Sequence, residues 1–179
     1  YSVFTPFSRR WRSWIEETHP GLLPTPKARG NELSPEQIDL LRLHTSLAKL
    51  TTGRQAVHGA TEVVEAFGGA GYVEDTGLPL LLRDSQVLPI WEGTTNVLSL
   101  DALRAVLKDE SLEALKAKVG RCAAAARESS LVELGGVAVT AVTSAEQWLQ
   151  QTMQHGQPAL EAGARRFGLT LGRALALAL

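Results

Sequence analysis

The sequence predicts an all-α protein, an antiparallel helical bundle with additional helices towards its C-terminal end. Apolar residues recur at helical spacing over several long stretches, and Gly, Pro and Ser residues separate those stretches. No stretch of useful length alternates between apolar and polar residues with period two, the pattern typical of a half-buried strand. The sequence therefore offers no candidate for a sheet.

The first helix is predicted to begin directly after Ser34. Ser34 suits the N-cap, Pro35 suits the first helical position because its missing N–H has no helical acceptor there, and Gln37 can reach back to the cap. The apolar positions that follow are Leu40, Leu43, Leu47, Leu50, Val57, Val64 and Phe67. Gly68 and Gly69 are typical of a helix end. This spacing predicts one helix of about 33 residues, or ~50 Å at 1.5 Å per residue.

Residues 68–93 show no helical period and are expected to form a loop. A second helix is predicted to begin near Thr94, whose hydroxyl can cap it. Its apolar positions are Val97, Leu100, Leu103 and Leu107. Further helices are expected at approximately 112–128, 131–154 and 158–179, separated by Ser pairs and by Gly and Pro.

Three segments are predicted along the chain. Residues 1–33 are rich in proline and lack a period, as in an arm or linker. Residues 34–108 form a helical domain, and residues 109–179 an accessory helical region. The sequence opens at Tyr1 without an initiator Met and stops inside an apolar run, so we expect it to be a fragment.

Composition argues against several classes of protein. The formal net charge is −1, so the composition shows no excess of positive charge that would indicate binding to nucleic acid or to a membrane surface. The single Cys122 excludes an internal disulfide and fits a reducing compartment. No apolar run approaches the ~20 residues that span a bilayer, so a cytoplasmic protein is expected. The four histidines include no pair at metal-ligand spacing with a carboxylate partner, and no metal site is predicted.

Chemistry is expected around Glu92, which lies beside Gly93 at the mouth of the helix that begins near Thr94. Glycine lets a substrate approach the backbone, and a helix N-terminus offers unpaired N–H groups to a developing oxyanion. A structural alternative carries more weight on spacing alone, namely that Glu92 only complements the helix dipole.

The order of three motifs changes that balance. They are Glu65-Ala-Phe-Gly-Gly-Ala-Gly-Tyr72, Leu82-Arg-Asp84 and Ile90-Trp-Glu-Gly-Thr-Thr-Asn96. Together they resemble the C-terminal domain of acyl-CoA dehydrogenases over approximately residues 34–108. The resemblance implies an FAD-dependent oxidoreductase that carries out α,β-dehydrogenation of an acyl-CoA thioester. It also implies that Glu92 is the α-proton base, that its backbone N–H binds the thioester oxygen, and that Gly93 lies against the thioester.

The same resemblance assigns residues to the cofactor. Thr94 and Asn96 would lie along FAD, and the turn of Glu65, Gly68 and Gly69 resembles a segment that touches the FAD of a neighbouring protomer. A homo-oligomer, dimer or tetramer, is therefore implied, with electron-transfer flavoprotein as the redox partner. Glu65 departs from the Gln that the family usually has at this position, which places a carboxylate near an anionic cofactor.

Finer features resemble the AidB-like branch of the family, which has an additional C-terminal helical region. They are Trp91, Asn96 and the stretch Leu100-Asp-Ala-Leu-Arg104. An alternative function is a non-catalytic AidB-like module for oligomerisation or nucleic-acid association. Positive and negative side chains are interleaved after residue 108, which argues against nucleic-acid binding by this region. As for the dehydrogenase activity, the chain alone is expected to be inactive.

Three smaller predictions concern structure. Residues 1–30 weakly resemble a DNA photolyase segment, which suggests that they are foreign to the rest of the chain. Arg83 and Asp84 are interpreted as a local ion pair that fixes the loop, and Arg104 as either a solvated helix residue or part of the active-site wall. Gly135 and Gly136 cost helix stability, so close helix packing is expected there.

Overall fold

A computed structural model describes residues 33–179, and these are all-α, as predicted. The arm or linker predicted at residues 1–33 lies outside the described residues except for Leu33, and the photolyase-like segment at residues 1–30 lies outside them entirely. The elements are α1 (Pro35–Ala66), α2 (Gly69–Tyr72), a 3₁₀ turn (Glu74–Thr76), α3 (Leu78–Ser85), α4 (Thr95–Lys108), α5 (Ser111–Ala125), α6 (Ser129–Met153) and α7 (Gln157–Ala178). Short connections join α5, α6 and α7, so consecutive helices run antiparallel.

The start of α1 follows the predicted capping pattern. The Gln37 N–H donates to Ser34 Oγ over 3.3 Å, and the Ser34 N–H donates to Gln37 Oε1 over 2.8 Å. Two backbone donors that lack helical acceptors are satisfied in this way. The helix runs for 32 residues, one fewer than its spacing predicts, and ends before the turn at Gly68.

The prediction of a loop for residues 68–93 is wrong over most of its length, because α2, the 3₁₀ turn and α3 lie within it. These elements have 4, 3 and 8 residues, too few for an apolar period to emerge. A left-handed Gly77, with a φ of 75°, separates the 3₁₀ turn from α3. The predicted bounds of α5, α6 and α7 differ from the observed ones by one to three residues. The largest difference is at the end of α5, where the alanine run carries no stop signal.

The core is shared by helices from both sides of residue 108. Fully buried leucines lie on α1, α4, α5 and α7, and they belong to one apolar cluster: Leu43, Leu47, Leu103, Leu115 and Leu171. The predicted boundary between a domain at 34–108 and an accessory region at 109–179 stays a prediction. In the described structure these two segments bury one another's apolar side chains.

The glycine pair of α6 splits into a packed and an open position. An ideal Cβ on Gly135 would lie 3.0 Å from Ala123 Cβ on α5, whereas a Cβ on Gly136 would meet nothing within 4 Å. Close packing is therefore confirmed at Gly135 and wrong for Gly136.

We expect Gly136→Ala to raise the free energy of unfolding by about 0.5 to 1 kcal/mol, the usual gain of replacing an exposed helical glycine with alanine. Gly135→Ala, the matched control on the adjacent residue, should gain less or lose stability because Ala123 must shift. Urea unfolding followed by circular dichroism measures both. Equal gains at the two positions would contradict the close contact of α5 with α6.

Candidate active site

Glu92 has an unusual backbone conformation. Its φ is 55°, and it is the only non-glycine residue with a positive φ among those that the structure describes. Gly93, directly after it, has a φ of 117°. A left-handed non-glycine residue costs free energy and persists only where the surrounding structure holds it. The chain therefore maintains strain at Glu92, for which the family resemblance predicts the role of catalytic base.

The hydrogen-bonding groups of Glu92 are available. The preceding Trp91 N–H donates to the Val87 carbonyl over 2.9 Å, which closes a turn just before Glu92. Neither the backbone N–H nor the carboxylate of Glu92 has a hydrogen-bond partner among the described residues, and the side chain is exposed. Within residues 33–179, an N–H group and a carboxylate of the same residue are thus both left unused.

The N-terminus of α4 follows at once. Thr94 occupies the N-cap position, as predicted, but its side chain makes no capping hydrogen bond. The prediction that its hydroxyl caps the helix is therefore wrong. What Thr94 contributes is its carbonyl, which accepts the first helical bond from the Leu98 N–H over 2.9 Å. The N–H groups of the first turn have no helical acceptors, which makes this end of α4 suitable for an anion.

Asn96, in the first turn of α4, is held from α7. Arg165 Nη1 donates to Asn96 Oδ1 over 3.2 Å, across 69 residues of sequence. Both residues line a cavity of about 340 Å³ between α4 and α7. Sequence reasoning missed Arg165, because a single arginine on a helix carries no signal of such a contact.

The loop that carries Glu92 is anchored on the middle of α1. Lys49 Nζ donates to the Leu88 carbonyl oxygen. A Cβ on Gly53 would lie 3.1 Å from that same oxygen, so the loop backbone passes directly over Gly53. Lys49 and Gly53 therefore position the approach to Glu92. Neither was predicted, although a glycine inside a helical pattern is itself a signal of close backbone approach.

The second group of predicted site residues lies at the end of α1. Gly68 has a φ of 55°, and its N–H donates to the Glu65 carbonyl over 2.9 Å. A Cβ added to Gly68 or Gly69 would meet no atom within 4 Å, so this backbone is open. Glu65 is twelve residues from Gly53, or about 18 Å along the helix. The turn of Glu65, Gly68 and Gly69 and the loop that carries Glu92 therefore lie at different positions along α1.

The predicted ion pair of Arg83 with Asp84 is wrong. Arg83 instead forms a two-point contact with Glu74, with Nη1–Oε1 at 2.8 Å and Nη2–Oε2 at 3.0 Å. Adjacent residues of a helix do not face one another, whereas Glu74 comes from the preceding 3₁₀ turn. The hydrogen bond from Arg83 holds the pKa of Glu74 below its usual value of 4.5. Arg104 is an exposed residue of α4 and pairs with Asp101.

None of the helices from residue 35 onwards combines the length and apolarity needed to cross a bilayer. Within the same part of the chain, no three His, Cys, Asp or Glu side chains converge in a way that suits a metal ion.

The sequence of residues 30–107 matches the family model of the acyl-CoA dehydrogenase C-terminal domain. Over this segment, the chain is similar to the acyl-CoA dehydrogenase family. The predicted family is thus confirmed, and the match contains both Glu92 and the turn of Glu65, Gly68 and Gly69.

Relatives of the acyl-CoA dehydrogenase family agree with this assignment. Acyl-CoA dehydrogenase family member 11 of Caenorhabditis elegans is 62% identical over 73 residues, which are 41% of this chain and 12% of that protein. The putative acyl-CoA dehydrogenase AidB of Escherichia coli is 40% identical over 67 residues, 37% of this chain and 12% of that protein. The matched stretch thus spans 12% of the length of either relative.

A solved structure extends the likeness. The crystal structure of Caenorhabditis elegans ACDH-11 in complex with C11-CoA superposes with a TM-score of 0.73 and 37% identity, over 82% of this chain and 26% of that one. The family segment at 30–107 makes up less than half of this chain. The structural likeness must therefore include part of the helices that follow residue 108.

Proposed function

We propose that this chain is the C-terminal part of an FAD-dependent acyl-CoA dehydrogenase in which Glu92 removes the α-proton of an acyl-CoA thioester. The observation that carries the proposal is the strained, left-handed Glu92, whose N–H and carboxylate both lack partners among the described residues. Strain of this kind is retained where function requires a particular presentation of a side chain.

Both groups of Glu92 have a role in this chemistry. The α-proton of a thioester is weakly acidic, so the base must be aided by hydrogen bonds to the carbonyl oxygen as negative charge develops there. The carboxylate of Glu92 would take the proton, while its N–H would donate to the oxygen. Gly93, with a φ of 117°, adds no side chain that would obstruct the thioester.

Apolar side chains next to Glu92 would exclude water. Ile90 is 61% exposed and Trp91 38% exposed, which leaves a hydrophobic surface beside the carboxylate. An acyl chain or another domain placed on that surface would lower the local dielectric and strengthen the hydrogen bonds to the developing oxyanion.

The residues present suit FAD at the mouth of α4. The Thr94 hydroxyl is not used for capping, the first-turn N–H groups lack helical acceptors, and the amide of Asn96 is held by Arg165. These groups would hold hydroxyl or phosphate oxygens of the cofactor. When bound, FAD accepts the hydride from the β-carbon of the substrate, and electron-transfer flavoprotein would reoxidise it.

The turn of Glu65, Gly68 and Gly69 would contact a second FAD. Its backbone is open and lies well away from Glu92 along α1, which suits contact with the cofactor of a neighbouring protomer. The functional protein would then be a dimer or tetramer. Glu65 would place a carboxylate beside an anionic cofactor there, so its contact should be through the backbone or through a bridging group.

Location and domain roles follow from the same proposal. Cys122 is a free, half-buried thiol, which suits the reducing cytoplasm. Residues 109–179 would act as the AidB-like addition, and Arg165 is the residue through which this region would touch the cofactor side of α4.

A chimera tests the proposal. In it, this chain replaces the segment of Caenorhabditis elegans ACDH-11 that superposes on it, with unaltered ACDH-11 as the reference. We expect a yellow protein that carries FAD and oxidises C11-CoA in the presence of an artificial electron acceptor, measured by flavin absorbance and acceptor reduction. A folded chimera that binds FAD in the amount that ACDH-11 does but leaves the thioester unchanged would contradict the proposal.

A further inference from the structure

A second cleft lies between α1 and α7. Its volume is about 340 Å³, and its lining comes from four residues of α1 and two of α7: Thr51, Arg54, Gln55, His58, Leu169 and Arg173. Two guanidinium groups, an imidazole and an amide therefore share one concave surface. The only carboxylate in contact with these groups in the described structure is that of Glu62, 3.9 Å from His58 Nδ1.

The two arginines of the cleft have no partner within the described structure. Neither Arg54 nor Arg173 makes a hydrogen bond or ion pair with any residue that the structure describes, and both side chains are exposed. Elsewhere in the described structure, Arg83 pairs with Glu74, and Lys116 pairs with both Glu113 and Glu146. The cleft thus concentrates positive charge that the described residues do not neutralise.

The floor of the cleft is tightly packed. A Cβ on Gly172 of α7 would lie 2.5 Å from Thr51 Cγ2 and 3.4 Å from the Leu47 carbonyl oxygen, so the two helices touch here. The Thr51 hydroxyl is buried and donates to Leu47 O over 2.8 Å. The helices that carry Arg54 and Arg173 are consequently fixed relative to one another, and the separation of the two arginine backbones is set.

The cleft faces away from the loop that carries Glu92. At 3.6 residues per turn, the four α1 residues of the cleft lie about 170° round the helix from Lys49 and Gly53. Those two residues contact the backbone at Leu88, on the approach to Glu92. A ligand in the cleft would therefore bind on the opposite side of α1 from the proposed base.

We propose that this cleft binds the phosphate group of a small ligand, with Arg54 and Arg173 as its principal contacts. A guanidinium presents parallel N–H donors that match two oxygens of a phosphate. Two guanidinium groups balance the charge of a phosphate dianion, whereas a single carboxylate would leave one of them uncompensated. Gln55 and His58 supply further polar groups at the rim. The ligand is either free phosphate or a phosphate monoester.

Titration of the full 179-residue chain with inorganic phosphate tests the proposal. Chloride holds the ionic strength constant, acetate is the comparison anion, and NMR chemical shifts report binding. We expect saturable phosphate binding that acetate does not reproduce. Arg54→Gln and Arg173→Gln should each weaken it on the order of tenfold, because each removes a charge-assisted contact. Both residues are exposed and have no partner among the described residues, so these variants should remain folded, which circular dichroism checks.

Matched variants make the outcome decisive. Arg127→Gln removes one exposed arginine outside the cleft and should leave phosphate affinity unchanged, while Arg54→Lys should restore part of it through charge alone. Titration with adenosine monophosphate, with adenosine as the phosphate-free control, distinguishes free phosphate from a phosphate monoester as the ligand. Only a site for a phosphate monoester would bind the nucleotide at least as tightly as it binds inorganic phosphate. Phosphate affinity that is unchanged in Arg54→Gln and Arg173→Gln, or that falls equally in Arg127→Gln, would overturn the proposal.

Discussion

Glu92→Gln in the ACDH-11 chimera is expected to lower the rate of acyl-CoA oxidation by about 10² to 10⁴, the range typical of losing a general base. Glutamine keeps the size of the side chain and the backbone N–H, but it cannot accept the α-proton. The flavin absorbance should stay unchanged, because the carboxylate is assigned to the substrate and the cofactor contacts are assigned to α4. Steady-state turnover with C11-CoA and the flavin content of each variant are the measurements.

Glu133→Gln is the matched control, since Glu133 is also an exposed glutamate and lies on α6. It should turn over at the rate of the parent chimera. Equal rates for the parent and Glu92→Gln would remove Glu92 from the mechanism, even if the protein proved to be a dehydrogenase. Loss of FAD from Glu92→Gln would instead assign the residue to the cofactor site.

Leu171→Ala should lower the free energy of unfolding by about 2 to 5 kcal/mol, as expected for a large side chain deleted from a packed core. Leu171 is completely buried in the cluster formed by α1, α4, α5, α6 and α7. Truncation removes buried apolar surface and leaves a cavity that fixed helices cannot fill. Chemical unfolding of the 179-residue chain, monitored by far-UV circular dichroism, gives the change.

Leu177→Ala offers the same substitution on the same helix at a site that is 39% exposed. The loss there should stay below about 1 kcal/mol, because little transfer free energy and no enclosed cavity are involved. Similar losses at the two positions would mean that α7 does not pack on the bundle in solution as it does in the structure.

The long helices could be predicted because their signals are local. The reciprocal cap of Ser34 and Gln37 marks the start of α1, and the glycines at 68 and 69 mark its end. The apolar spacing of α1 and α4 likewise placed the buried leucines Leu43, Leu47 and Leu103. Each of these signals depends on residues within a few turns of one another, which is the range over which helical periodicity acts.

Contacts across long sequence distances could not be predicted. The Asn96–Arg165 bond and the contact of Lys49 with the Leu88 carbonyl depend on how the helices pack. The type of residue at these positions does not indicate which residue will be its partner. The short helices between Gly68 and Gly93 could not be predicted either. Most of their residues lie at helix ends, so too few interior positions remain to show an apolar repeat.

The position proposed for the catalytic base came from a motif, whereas its left-handed backbone did not. Nothing in an Ile-Trp-Glu-Gly-Thr stretch requires a φ of 55° at the glutamate rather than at the glycine alone. The conformation follows from the turn closed by the Trp91 N–H and from the start of α4 three residues after Glu92.

The single core that spans residue 108 limits which segments of this protein can be exchanged by recombination. A recombination event that transferred residues 30–107 alone would strip Leu43, Leu47 and Leu103 of the α5 and α7 side chains that cover them. Selection would remove such a product whatever its catalytic activity, because exposed apolar surface leads to aggregation. The family segment and the helices that follow it should therefore descend together, and substitutions on α7 should be tracked by compensating ones on α1.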